Sequence, residues 1–364
     1  MRFSAARAVA IASCVLSVVT IAALSTAAGA EAAYDPVGSG LTKLILAKPF
    51  ARLLADNGVR IVLKGGAERR GPTIALPASA GEFDPGRKLG AVESEATLVF
   101  VRGRRSLPLR DVTFKAKRAP LFAKVGGGQL KVATAERLDA RRTGFGMTFR
   151  ASGLKLTAKF VSRLAKKLRL RGSFESHQLL GIVRCAVVPR TVNLREEGRV
   201  QLALNSSFKQ KLDNLFVSLN PIAPAELAPG PILSLPIGSD STLAPDASGG
   251  TIKLVGSIEL LQLGNAQIFW RELWLQPEAR ALVAETDAEP SPPRPGRTPQ
   301  AALFAVSSGI VSSDPSSRTI DQSGQQIALT AAAAASLNEA FAESREIFAA
   351  GEAVGALSFR ATAE

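Results

Sequence analysis

Four side-chain types that hold haem iron or carry thiol and acid–base chemistry occur once each beyond residue 30: Tyr34, Met147, His177 and Cys185. Haem iron generally takes an axial His, Tyr, Cys or Met, whereas zinc needs three or four clustered ligands. One histidine and one cysteine cannot supply a zinc site. A serine–histidine triad would need His177 as base beside a fixed nucleophile, and no nucleophile motif accompanies it. Gly126-Gly127-Gly128 and Lys64-Gly65-Gly66 lack the Gly-Lys-Ser/Thr ending and following helix of a phosphate loop. Glu93 and Glu95 stand at period two on one strand face, which suits a solvated rim better than a hydrolytic pair.

Positive charge is the denser signal. Lys159, Arg163, Lys166 and Lys167 fall on a helix whose apolar residues are Phe160, Leu164 and Leu168, and Arg169 and Arg171 continue the run. Arg102, Arg104 and Arg105 form a second cluster at a strand turn. The plain reading is a solvated helix face. The functional one is a surface for anionic cell-wall polymer or membrane, each charge adding about 1 kcal/mol beside an anionic surface. No aromatic platform accompanies the charges, which argues against nucleic acid. Residues 35–190 hold 31 basic and 11 acidic residues, and residues 191–364 hold 12 and 19, a split of +20 against −7. Such asymmetry speaks of partners rather than of fold.

The elements that carry these residues are written twice. Set against one another, Leu44, Leu46, Phe50, Leu54 and Val59 meet Leu202, Leu204, Phe208, Leu212 and Val217. Further on, Leu76-Pro77 meets Leu235-Pro236, Gly90 meets Gly250, Leu98 meets Ile258, and Val112 meets Leu273. Near the ends, Leu156-Thr157-Ala158 meets Leu329-Thr330-Ala331, Phe174 meets Phe348, and Gly181 meets Gly355. Apolar positions recur in order and polar ones do not, as a shared core with divergent surfaces requires.

Each copy reads as strand, helix, several antiparallel strands, helix, strand. Pro49 suits a first helical turn and Asn57-Gly58 a helix end. Asn205, Thr157 and Thr330 suit N-caps, the last two for helices Ala158–Leu168 and Ala331–Phe341. The fold class predicted is mainly β: two tandem antiparallel, sandwich-like domains at 38–189 and 196–363, each with two short helices. A bridge runs from Val188 to Gly198, and the proline-rich stretch Thr286 to Gln300 reads as an exposed loop inserted in the second copy. A 46% apolar content supports real cores, and about 330 residues suit two such domains.

Arg2 and Arg7 precede an apolar run from Ala8 to Ala28, and Ala28-Gly29-Ala30 is a signal-peptidase site. Residues 1–30 therefore read as an export leader, with a retained anchor as the alternative. Ile11-Ala12-Ser13-Cys14 spells a lipoprotein box, but Cys14 sits inside the apolar run rather than at its end. Cys185 is then the single cysteine of the exported chain, so no intrachain disulfide forms.

The tail Leu329-Thr330-Ala331-Ala332-Ala333-Ala334-Ala335-Ser336-Leu337-Asn338-Glu339-Ala340-Phe341, followed by Phe348, Gly351 and Gly355, resembles the end of HtaA-type domains. Ser207-Phe208-Lys209 after an opening strand resembles their start. The resemblance implies exported actinobacterial modules, often in tandem, some of which bind haem during iron uptake. Haem-binding members carry a tyrosine ligand at the start of the first helix and a supporting histidine in a later strand. The matching helix positions here hold Leu53 and Lys211, and the strand positions hold Glu93 and Lys253. Leucine has no donor atom, and lysine is protonated at neutral pH. The expectation is a secreted or envelope-associated, non-enzymatic binding or structural protein without cofactor. Haem binding through other ligands and a hydrolase of envelope polymers stand as alternatives.

Overall fold

The computed structural model describes residues 34–116, 120–170, 174–264, 266–289, 300–342 and 345–364. The expected leader and its cleavage site, Arg171, and most of the proline-rich stretch lie outside these. Among the described residues no helix is long and apolar enough to cross a membrane.

The first half opens with β1 (Asp35–Leu46), α1 (Lys48–Asp56), β2 (Arg60–Lys64), β3 (Glu68–Arg70) and β4 (Thr73–Pro77). It continues through β5 (Ala80–Asp84), β6 (Leu89–Ser94), β7 (Thr97–Arg102), β8 (Arg105–Lys115) and β9 (Pro120–Val125). It ends with β10 (Gly128–Thr134), β11 (Arg137–Thr143), β12 (Gly146–Leu156), α2 (Ala158–Leu168) and β13 (Leu179–Pro189). The second half follows with β14 (Val192–Asn193), β15 (Arg199–Leu204), α3 (Ser206–Asn214), β16 (Val217–Ile222), β17 (Glu226–Ala228) and β18 (Ile232–Pro236). Next come β19 (Thr242–Leu243), β20 (Gly250–Lys253), β21 (Ser257–Gln262), β22 (Ala266–Gln276) and β23 (Ala281–Glu289). The last elements are β24 (Gln300–Val306), β25 (Ile310–Asp314), β26 (Thr319–Leu329), α4 (Ala331–Phe341) and β27 (Ala353–Thr362).

The expected mainly-β architecture is present: one antiparallel sheet and two helices in each half. Each sheet bends until it meets itself. In the first half the ladder runs β1–β5–β6–β8–β9–β10–β12–β13 and returns to β1. Outside that circuit, β4 and β3 lie beside β1, β7 and β2 beside β8, and β11 beside β12. The second half repeats the circuit as β14–β19–β20–β22–β23–β24–β26–β27, with β15 continuing β14. A bridge from Leu194 to Ala363 joins the ends. The one difference in strand plan is that β1 is unbroken while β14 and β15 divide the same role.

The register agrees with the sequence pairing. Leu98 faces Leu109 in the first half as Ile258 faces Trp270 in the second. The buried edge-on pair Phe50–Phe174 at 6.3 Å has its counterpart in Phe208–Phe348 at 5.9 Å. Thr157 and Thr330 accept from the amides of Phe160 and Ala333, and each hydroxyl donates to a neighbouring-strand carbonyl, of Lys131 or Ala302. Gly181 and Gly355 show why one position permits no side chain: a Cβ there would sit 1.9 Å from Ile45 O or 2.0 Å from Ala203 O.

Three local readings change. β1 starts at Asp35, ahead of the expected domain start at 38, and Gly38 and Gly40 leave room where the backbones of Arg190 and Ala186 approach closely. The bridge between halves contains β14, which pairs with β19. Thr286 to Glu289 continue strand β23 against β22 instead of starting a loop.

The halves meet at a small mixed junction. Phe145, from the turn between β11 and β12, is buried in the core of the second half. Arg142 donates to Glu364 O, Arg318 to Ala363 O, and the Asn193 amide to Asp35 Oδ1. Asp35 is 3% exposed and Arg318 6%. Burial pushes the Asp35 carboxyl up from 3.8 to about 6, against the pull of Arg318, and pushes Arg318 down to about 10.

A carboxyl raised on folding favours the folded state fully below its unfolded pKa and loses that contribution as the pH passes its folded value. Between pH 4 and 7 the protein should therefore lose on the order of 3 kcal/mol relative to Asp35→Asn. Chemical denaturation of both proteins across that range measures it. A difference that stays constant with pH would contradict the assignment.

Candidate functional site

The cations singled out in the sequence converge on one groove. α2 forms where Thr157 caps its first turn, and Phe160, Val161, Leu164 and Leu168 turn into the core. That leaves Lys159, Arg163, Lys166 and Lys167 on the exposed side. The two-residue turn between β7 and β8 brings Arg104 and Arg105 to the same place. Together with Arg169, Ser106, Ser162 and Leu130 they line a groove of about 1170 Å³. Among the described residues no acidic side chain pairs with any of these seven cations.

Arg102 is the exception. Its Nη1 donates to Leu168 O at 3.3 Å and Arg169 O at 2.7 Å, closing the end of α2 where carbonyls lack helical partners. It holds the groove wall and does not line the groove.

Helix stability accounts for only part of the remaining charge. Lys166 and Lys167 sit in the last turn, where cations favour the dipole. Lys159 sits in the first turn, where they do not. Lys159, Arg163 and Lys167 also follow one another at i, i+4 and i+8, a like-charge spacing that destabilises a helix. The matching positions of α4 hold Ala332, Ser336 and Ala340.

The other candidates stay apart. His177 is exposed in the turn before β13 with φ +67°, opposite Gly351 at +79° in the second half. Cys185 is buried, accepts from Thr42 Oγ1 at 3.2 Å, and has its thiol pushed by burial to about 11. Met147 is buried in the core and Tyr34 is exposed. Glu93 and Glu95 are both exposed on the outside of the sheet.

The two helix positions that the resemblance marks for a haem ligand do not fit haem iron. Leu53 packs against the first core. The Lys211 ammonium pairs with Glu352 at 2.8 Å, donates to Ile347 O at 2.9 Å and lies over the Phe348 ring. The Lys253 ammonium lies over Trp274. Ser106, Ser162 and Leu130 were not foreseen. Ser162 could have been placed from its helical spacing to Lys159 and Lys166, while Leu130 and Ser106 enter only through strand pairing.

No family model and no curated protein sequence matches the chain. In structure it is similar to the N-terminal domain of HtaA from Corynebacterium glutamicum, at 19% identity and a TM-score of 0.37. That likeness covers 48% of this chain and 99% of the domain. It is also similar to the C-terminal domain of the same protein, at 11% identity and a TM-score of 0.34, over 42% of this chain and 98% of that one.

The two kinds of cation should separate by stability. Arg102→Ala should cost about 1 kcal/mol through the lost carbonyl bonds. Lys159→Ala with Arg163→Ser and Lys167→Ala should leave Tm unchanged or slightly raised. Thermal unfolding of both variants checks this, and equal losses would place all of the cations in the fold's support.

Proposed function

We propose that this chain is an exported, non-enzymatic binding protein whose first half holds an anionic polymer in the groove along α2. The observation that carries the reading is the set of seven cations around one concavity, none ion-paired among the described residues. A flat membrane surface fits less well. A helix that lies in a lipid interface turns its apolar face to the lipid, and here that face is buried against β8 and β10. The reading of residues 1–30 as an export leader supports a partner outside the cytoplasm, such as an anionic wall polymer. Haem has no part in this reading, because Leu53 offers no donor and Lys211 is held by Glu352.

The test uses the chain from residue 34 onward and linear inorganic polyphosphate as probe. Binding should be strong at low salt and fall steeply as salt rises, since exposed charges are screened within about 10 Å at 0.1 M. Replacing Lys159, Arg163, Lys166 and Lys167 by the residues of α4 should weaken it on the order of 100-fold. Binding that ignores salt, or is unchanged in that variant, would overturn the proposal. Haem titrated into the same protein should give no stoichiometric Soret shift; a tight one would restore the iron-uptake alternative.

A further inference from the structure

A second cationic feature lies on the outer face of the first sheet, where register rather than sequence proximity creates it. In β1 the side chains of Thr42 and Leu44 are buried and Lys43 is exposed between them. Arg184 is exposed between buried Val183 and Cys185, and Arg150 between buried Phe149 and Ala151. Lys43 is the ladder partner of Arg184, and Arg184 is the ladder partner of Arg150. Three cations thus stand side by side across three adjacent strands, about 5 Å apart from one strand to the next. Directly opposed like charges destabilise a sheet. Among the described residues none of the three is in an ion pair, although Asp139 stands across from Arg150 in the ladder.

The second half shows that the fold does not require them. The partners at the matching register are Gln201 and Ser358. Ser323, six residues before Leu329 as Arg150 is six before Leu156, holds the matching sequence position without charge, at an irregularity in the β26–β27 ladder.

Two shallow concavities flank the row and share Leu41, Lys43 and Arg184. One, of about 420 Å³, reaches Arg141 and Arg150, and the other, of about 650 Å³, reaches Ile45, Thr73 and Arg70. Carboxylates close the row at both ends, because Asp139 is the partner of Arg150, and Glu68 pairs with Ala75, which pairs with Lys43. Arg70 and Arg141 stand off the row on opposite sides, since Arg70 pairs with Thr73 and Arg141 with Thr148. The cations therefore trace a diagonal from Lys43 through Arg184 and Arg150 to Arg141, with Arg70, ion-paired to Glu68 at 3.5 Å, beyond its other end.

We infer that this diagonal is a docking track for a linear polyanion bearing phosphate groups, separate from the α2 groove and independent of it. The geometry selects a chain over a plane. A flat anionic surface would meet Glu68 and Asp139 together with the cations, whereas a strand crossing obliquely passes between them. Among the described residues this face offers aliphatic side chains, Leu41, Ala75, Ile182 and Ala186, and no exposed aromatic ring on which bases could stack.

The experiment reads Lys43 directly. The chain from residue 34, with the four α2 cations replaced, is treated with acetic anhydride, and the acetylation of each lysine is followed by mass spectrometry. Linear polyphosphate should slow acetylation of Lys43 at low salt. Arg150→Ser with Arg184→Ser should raise the polyphosphate concentration needed on the order of 10-fold while leaving Tm unchanged or higher. Monophosphate at equal total phosphate should not protect. Acetylation of Lys43 that polyphosphate does not slow would overturn the inference, as would protection by anionic lipid vesicles that equals or exceeds that by polyphosphate. In the unsubstituted chain, protection of Lys159 and Lys167 reports the α2 groove separately. Protection of Lys43 without those two would defeat the groove reading and leave the track standing.

Discussion

Closure of each sheet on itself is the constraint from which the rest follows. In a closed antiparallel circuit every strand has an inner and an outer face, and a slip of one residue would exchange them. The inner positions must fill one core at close-packed density. That is why Phe50 and Phe208, Phe174 and Phe348, and Leu98 and Ile258 persist in both halves. It is also why a glycine is fixed where β13 or β27 crosses the strand before the first helix, with a neighbouring carbonyl filling the space of a side chain. Outer positions answer to no such demand. The same outward site holds Lys43 in one half and Gln201 in the other, with the backbone pairing unchanged.

This division explains what could be read from the residues in order and what could not. Helices are local: Thr157 and Thr330 cap them, apolar residues recur at helical spacing, and the charged side of α2 follows at once. The α2 cluster was legible for that reason. A sheet is not local. Lys43 and Arg184 come together only through the pairing of β1 with β13, and nothing near either residue announces the other. Arg102 could be seen as a cation at a turn, but not as the group that closes the end of α2, because the turn and the helix end are 66 residues apart. Thr286 to Glu289 look like loop because acidic residues and alanine have weak strand preference. Their pairing with Gln267 to Trp270 overrides it.

The position that the resemblance assigns to an iron ligand has a structural use in both halves. Leu53 helps anchor α1 by packing on the core. Lys211 anchors α3 through Glu352 and Ile347 O, which ties the helix to the segment leading into β27. The carboxylate that holds the Lys211 ammonium is itself largely buried.

Charge provides the last step. A half carrying +20 joined to one carrying −7 could neutralise itself internally. It does not. Every ion pair among the described residues joins two residues of the same half, and the first half uses Arg70, Arg87, Lys124 and Lys155 in this way. The junction instead engages Asp35, Arg142, Asn193 and Arg318, and it covers neither the α2 groove nor the Lys43–Arg184–Arg150 row. Unpaired like charge raises the energy of the compact state. The second half closes with Gln201 and Ser358 at the same register, so closure of the sheet does not call for those cations.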